Sequence, residues 1–157
     1  MWSLILRNLF FTILQPGIVA GLVPWFILGN PGADFYKNRL SPFQYFAMLI
    51  FVSGLAILLY CISMFAIKGK GTLSPADPTK KLVVSGLYKY SRNPMYIGVM
   101  LILMGESAFF SSIALWIYTA MVFIAFNLFI VLHEEPRLEN DFGTEYQQYL
   151  KTVRRWL

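Results

Sequence analysis

The chain has 157 residues, 57% of them hydrophobic and only 13% charged, with a formal net charge of +5. Soluble domains run about 45–50% apolar and about 25% charged, so this balance excludes an ordinary soluble domain and points to an integral membrane protein. The length suits one domain, and basic residues beside long apolar runs read as topology signals and anionic-lipid contacts, not as a nucleic-acid surface.

A transmembrane helix needs about 20 mainly apolar residues. Leu9–Gly29 supplies that without a charge, and Pro16, Gly17 and Pro24 are expected to bend it. The run is too long for a signal-peptide core and has no small-residue cleavage site before Asn30, so it reads as a retained helix. Asn30–Pro42, with Pro31, Gly32 and Pro42, reads as a connection. Phe43–Ile67 is a second uncharged run, and its Cys61 has no partner for an intrachain disulfide.

Residues 68–93 form a long polar connection carrying Lys68, Lys70, Lys80, Lys81, Lys89 and Arg92. Apolar runs follow at Pro94–Phe110 and Ile113–Leu132, and the short break at Ser111–Ser112 predicts a tight antiparallel hairpin. From His133 onward Leu138, Phe142, Tyr146, Tyr149, Leu150 and Val153 recur at helical spacing, which predicts an amphipathic helix on the membrane surface or over the bundle. The expected architecture is all-α: one membrane domain, 1–157, of about four transmembrane helices. Two N-terminal helices lie in 1–67, the hairpin in 94–132 and a C-terminal segment in 133–157. Lys and Arg concentrate in the long connection and the tail, which places both in the cytosol.

The hairpin brings polar residues together. With its turn centred near Ser111, Asn127 is level with Asn93–Pro94, and Glu134 and Glu135 with Gly86–Tyr88, at about 1.5 Å per residue. Arg92, His133, the two glutamates, Tyr88, Tyr90 and Tyr96 then meet at one membrane face. Each has a plainer reading: Arg92 as a snorkelling topology charge, the tyrosines as an aromatic belt, the glutamates as favourable charges at a helix start. Adjacent glutamates diverge by about 100° on a helix, so they suit holding a polar ligand better than acid–base catalysis on one atom. His133 with these acids lacks the spacing of a zinc site, and no metal is expected. Glu106 stands apart, about 18 Å along its helix from Pro94, and an acid at such depth is a candidate functional group.

The run Leu82-Val-Val-Ser-Gly86-Leu-Tyr88-Lys-Tyr-Ser-Arg92-Asn93-Pro94-Met-Tyr96-Ile-Gly98 resembles the signature of the isoprenylcysteine carboxyl methyltransferase family. Glu134-Glu135, then Phe142-Gly143, Tyr146, Tyr149 and the basic Val153-Arg154-Arg155 resemble its second signature; the related phospholipid N-methyltransferases share the first element and the paired acids. The resemblance covers about the last 80 residues. It implies an S-adenosylmethionine-dependent methyltransferase acting on a lipophilic or lipid-modified acceptor, such as an isoprenylcysteine-type carboxylate, with an oxygen acceptor favoured over nitrogen. Small size implies a minimal prokaryotic member in the inner membrane, its site facing the cytosol. Arg92 and Glu134 become the candidate catalytic residues. Leu82, Val83, Tyr88, Asn93, Tyr96, Gly98, His133, Glu134 and Glu135 become the candidate cofactor site, with Gly98 allowing close helix approach. Two departures stand out: Asn93 replaces the family's usual His, and Asn127–Leu132 lacks the Arg that eukaryotic carboxyl methyltransferases carry before the acidic pair. The alternatives are an NADPH-dependent sterol-type reductase, whose fold has a related Arg-x-Pro-x-Tyr element, and a non-enzymatic membrane subunit.

Overall fold

The structure, a computed structural model, describes residues 16–29, 40–64 and 82–156. Residues 9–15 of the first apolar run, the connection at 30–39, residues 65–67 and the lysine-rich stretch 68–81 lie outside them. Among the described residues the regular elements are all helical. A π-helical turn at Ile18–Leu22 leads into α1 (Val23–Leu28). Then come α2 (Pro42–Met64), a 3-10 turn (Gly86–Lys89), α3 (Pro94–Phe109) and α4 (Ile113–Phe129). A second π-helical turn (Ile130–Glu134) joins α4 to α5 (Glu135–Thr152).

Pro42–Met64 and the helix that begins at Ile113 are long and apolar enough to cross a membrane; Ile18–Leu28 and Pro94–Phe109 are apolar but shorter. α2 begins at a capping box. The Ser41 amide donates to Gln44 Oε1 (2.9 Å) and the Gln44 amide to Ser41 Oγ (3.3 Å), satisfying two otherwise unpaired donors, with Pro42 at the first helical position. α4 begins on Ser112, whose hydroxyl accepts from the Leu115 amide, just after Ser111 turns the chain with φ 48°.

α3 is the central helix. Its Gly98, Val99, Ile102, Leu103, Gly105, Ser107 and Ala108 are buried, and the main core joins Leu58 of α2 to Val99, Ile102 and Leu103 of α3 and Val122 of α4. α2 and α3 approach at backbone distance. A Cβ on Gly54 would lie 2.7 Å from Gly98 O and from Ile102 N, and one on Gly98 would lie 3.0 Å from Gly54 O. Small residues at such a crossing admit the close packing that drives helix association in lipid. The outer surfaces of α2, α4 and the π turn after it expose Phe43, Leu49, Leu59, Ile113, Ile117, Ile124 and Leu132, as lipid contact requires.

Between α3 and α4, Ser107 Oγ donates to Leu103 O (2.7 Å) and meets Thr119 Oγ1 at 3.1 Å. Both hydroxyls also bond their own helix, Thr119 through Leu115 O at 2.8 Å. Ser107→Ala therefore removes a shared bond without stranding Thr119, and is expected to cost only about 1 kcal/mol. Thermal unfolding in detergent measures this; a loss several-fold larger would mean that the pair organises the hairpin.

Two expectations change in detail. Near the turn Ser107 pairs with Thr119, midway at Ile113, because Ser111 and Ser112 are used in the turn and cap before α4 starts; farther along the hairpin Tyr96 packs on Phe126, midway at Ser111 as expected. Facing residues beside the turn therefore shift by about one helical turn. Secondly, the amphipathic tail does not begin a new helix at His133, for α4, the π turn and α5 run on continuously as far as a kink at Gly143. Pro136, which lacks the N–H for an ordinary helical bond, is accommodated after the π turn, just as Pro24 follows the π turn at Ile18–Leu22. The bend comes instead at Gly143 (φ 50°, ψ −121°), inside α5.

Candidate functional site

The site forms where the N-terminus of α3 meets the π turn and the start of α5. Pro94 starts α3, and the preceding Ser91–Asn93 stays irregular, leaving its backbone groups available. The chain after α5 uses them. Ser91 forms a single bridge with Arg154, the Arg92 amide donates to Arg154 O (2.9 Å), and Arg155 O accepts from Ser91 Oγ (3.2 Å) and Asn93 Nδ2 (3.1 Å). Asn93, 6% exposed, thus spends its amide on holding this segment.

The adjacent acids take different partners because they point to different sides of the helix. Glu134 Oε2 accepts from Tyr96 Oη at 2.8 Å. Glu135 Oε1 accepts from Arg92 Nη1 (2.8 Å) and Arg155 Nε (3.0 Å), and its Oε2 from Arg155 Nη2 (2.8 Å). Glu135 is therefore clamped by two guanidinium groups, one of them bidentate, the strongest geometry available to such a pair. Arg92 lies 13% exposed, with Tyr146 beside it and its Nε buried without a partner among the described residues.

Around this pair the lining is aromatic and apolar. Tyr96 packs on Phe126 (4.7 Å between ring centres), and Phe129 stacks on His133 at 5.6 Å. Tyr88 and Val83 are buried with Cys61 of α2, and the Tyr88 carbonyl accepts from Tyr149 Oη at 2.7 Å. Burial pushes the Tyr149 phenol up to about 12, so it remains a donor at neutral pH. Burial also raises the Glu134 carboxyl above its ordinary range; the Tyr96 hydrogen bond opposes this and the neighbouring Glu135 charge adds to it.

The candidate residues are thus drawn together with some differences in place. Tyr96 meets Glu134 and Arg92 meets Glu135, both later in the chain than the expected level of Gly86–Tyr88; Tyr88 lies close enough to Glu134 for their charges to couple. Val83 is buried and Leu82 half-buried on the same flank. His133 is exposed. Gly98 sits on the contact with α2. Tyr90 is 73% exposed, outside the cluster. Asn127 joins the cluster through the C-terminal segment: its Oδ1 accepts from Trp156 Nε1 at 3.1 Å, next to Arg155, whose carbonyl accepts from Asn93 Nδ2. The sequence reading assigned 133–157 to the cofactor-site segment, with Arg154 and Arg155 as topology charges and part of the second signature; it did not foresee the hold of Arg155 on Glu135. Its signal was the paired Arg that follows the amphipathic stretch within the second signature.

Residues 43–145 match a family model described as phospholipid methyltransferase. The chain belongs to the phospholipid methyltransferase family. The match takes in α2, the signature around Arg92, the hairpin, the acidic pair and the Gly143 bend. It makes this a member of a family of membrane methyltransferases, and it lends no support to the reductase or subunit alternatives. An uncharacterized protein of Haemophilus influenzae is 35% identical over 63 residues, 40% of this chain and all of that protein. No solved structure matches the chain. In this family member the joined motifs are the two signatures, and the bonds Tyr96–Glu134 and Arg92–Glu135 are where they join.

Proposed function

We propose that this family member is an S-adenosylmethionine-dependent methyltransferase with four membrane-spanning helices, working on a lipophilic acceptor from the cytosolic side of a prokaryotic inner membrane. Four spans follow if Ile18–Leu28 and Pro94–Phe109 cross with their neighbours, and the lysine-rich connection with Arg154 and Arg155 supports the cytosolic side. The observation that carries the reading is the 2.8 Å bond between Tyr96 and Glu134. It puts a half-buried carboxylate amid aromatic rings, where a cationic, aromatic ligand finds both a counter-charge and faces to stack on.

S-adenosylmethionine, when bound, supplies an electrophilic methyl group on a sulfonium. The chain's own residues then bind and align, which is most of what methyl transfer needs. Glu134 offers the negative charge, Tyr96 fixes its direction, Tyr88 and Val83 close the flank, and Arg92 acts through Glu135 as a positioning residue. The acceptor enters along the lipid-facing helices. The Leu82–Gly98 signature favours an oxygen acceptor such as a lipid-modified carboxylate, whereas the family's name favours an amine headgroup. Labelled S-adenosylmethionine with a lipid extract, followed by product identification, separates the two.

Calorimetry on the detergent-solubilised protein tests the cofactor. The unaltered chain is expected to bind S-adenosylmethionine, and Glu134→Ala to weaken binding about tenfold, as for loss of one charge-assisted contact. Because the Glu134 carboxyl is raised, it becomes neutral as pH falls through that raised value. Affinity for the cation should therefore be flat above it and decline below it. No binding, or a pH profile unchanged by Glu134→Ala, would count against the assignment.

A further inference from the structure

We propose that the segment Arg154–Trp156 is a clasp that aims Glu134, with Arg155 a positioning residue for the cofactor site; this rests on the S-adenosylmethionine reading above. The segment is tied at three independent points. Its backbone pairs with Ser91–Asn93 through the Arg92 amide to Arg154 O (2.9 Å) and through Ser91 and Asn93 to Arg155 O. Its Arg155 side chain grips both oxygens of Glu135 at 3.0 and 2.8 Å. Its Trp156 donates to Asn127 of α4 (3.1 Å) and packs on Phe123, ring centres 5.3 Å apart.

These ties fix the carboxylate next to the one that faces the ligand. Glu134 ends the π turn and Glu135 begins α5, so holding Glu135 from two sides sets the rotation of the helix at that level. The rotation decides whether Glu134 meets Tyr96. Arg92 alone cannot do this, because it holds only one oxygen of Glu135 and comes from the same segment that α3 carries. Arg155 adds the second, bidentate hold from a separate stretch of chain. Trp156 then anchors that stretch to the outer side of α4, two turns before the acidic pair.

A purely structural role for Arg155 predicts a different result from a positioning role. Arg155→Gln keeps a polar side chain but loses the charge, the fork and part of the reach; Arg155→Lys keeps the charge and loses only the fork. Both are to be measured for S-adenosylmethionine affinity by calorimetry, alone and combined with Glu134→Ala, with thermal unfolding recorded for each protein. The expected result is a loss of about fivefold for Arg155→Gln and a smaller one for Arg155→Lys when Glu134 is present, and no further loss once Glu134 is absent. Any fall in unfolding temperature should persist in both backgrounds. An equal loss with and without Glu134, or an unchanged affinity in both Arg155 variants, overturns the clasp as a positioning device. Should the unaltered protein fail to bind S-adenosylmethionine at all, the cofactor reading falls first and takes the clasp's role with it.

Discussion

Glu135→Ala is expected to destabilise the detergent-solubilised protein by about 3 kcal/mol, since removing one member of a buried ion-pair network strands the charges that remain. Arg92 is 13% exposed and Glu135 18%, so neither is well served by water. Arg155, at 35%, can recover part of its hydration, which places the expectation at the low end of the range for broken buried pairs. The companion variant is Arg92→Met in the same chain. With both members gone, no deeply buried charge is left without its partner, and stability should recover in part. Thermal and chemical unfolding of the two single variants and the double variant decides the matter. A double variant that simply sums the two losses would show that the three groups are not coupled.

Gly54→Ala is the second large effect. The added methyl would lie 2.7 Å from Gly98 O and Ile102 N and 2.8 Å from Leu101 Cβ. Two of those neighbours are backbone of α3, which cannot rotate away, so the helices must separate along the core of Leu58, Val99, Ile102 and Leu103. Overpacking of this kind costs about 3 kcal/mol at its upper range. Gly98→Ala meets its nearest neighbours at 3.0 Å and should cost less, while Gly21→Ala, with nothing within 4 Å, should be neutral or slightly stabilising. Unfolding midpoints in that order would support the close crossing. Equal effects at Gly54 and Gly21 would refute it.

Much of this arrangement was legible beforehand because the membrane imposes a coarse grammar. Uncharged runs mark helices, Pro94 opens one and Ser111–Ser112 turns another back, so the meeting of Leu82–Gly98 with Glu134–Glu135 followed from chain length and rise. Finer relations were hidden. The pairing beside the turn shifted because a turn that includes Ser111 with φ 48° and a Ser112 cap uses residues that a centred hairpin does not count. Continuity of α4 with α5 was hidden because the change from apolar to amphipathic composition at His133 looks like a boundary, although a helix can pass through it unbroken. Arg155 was hidden because a basic residue after an amphipathic stretch looks the same whether it faces lipid headgroups or returns to a carboxylate. What returns it is the kink at Gly143, a property of one residue's backbone (φ 50°, ψ −121°).

The π turn at Ile130–Glu134 has a consequence of its own for how such a chain can vary. A turn closed by i to i+5 bonds holds one residue more than its neighbours, and each residue in a helix is worth about 100° of rotation. The angular phase of everything after it, Glu134 and Glu135 included, is therefore set by a count of residues and not by the identity of the side chains on α4. The lipid-facing positions of α4 are free to drift among apolar types without turning the acids. Loss or gain of a single residue between Phe129 and Glu135 would swing them off Tyr96 and Arg92 together. The segment tolerates spelling changes and is intolerant of changes in length.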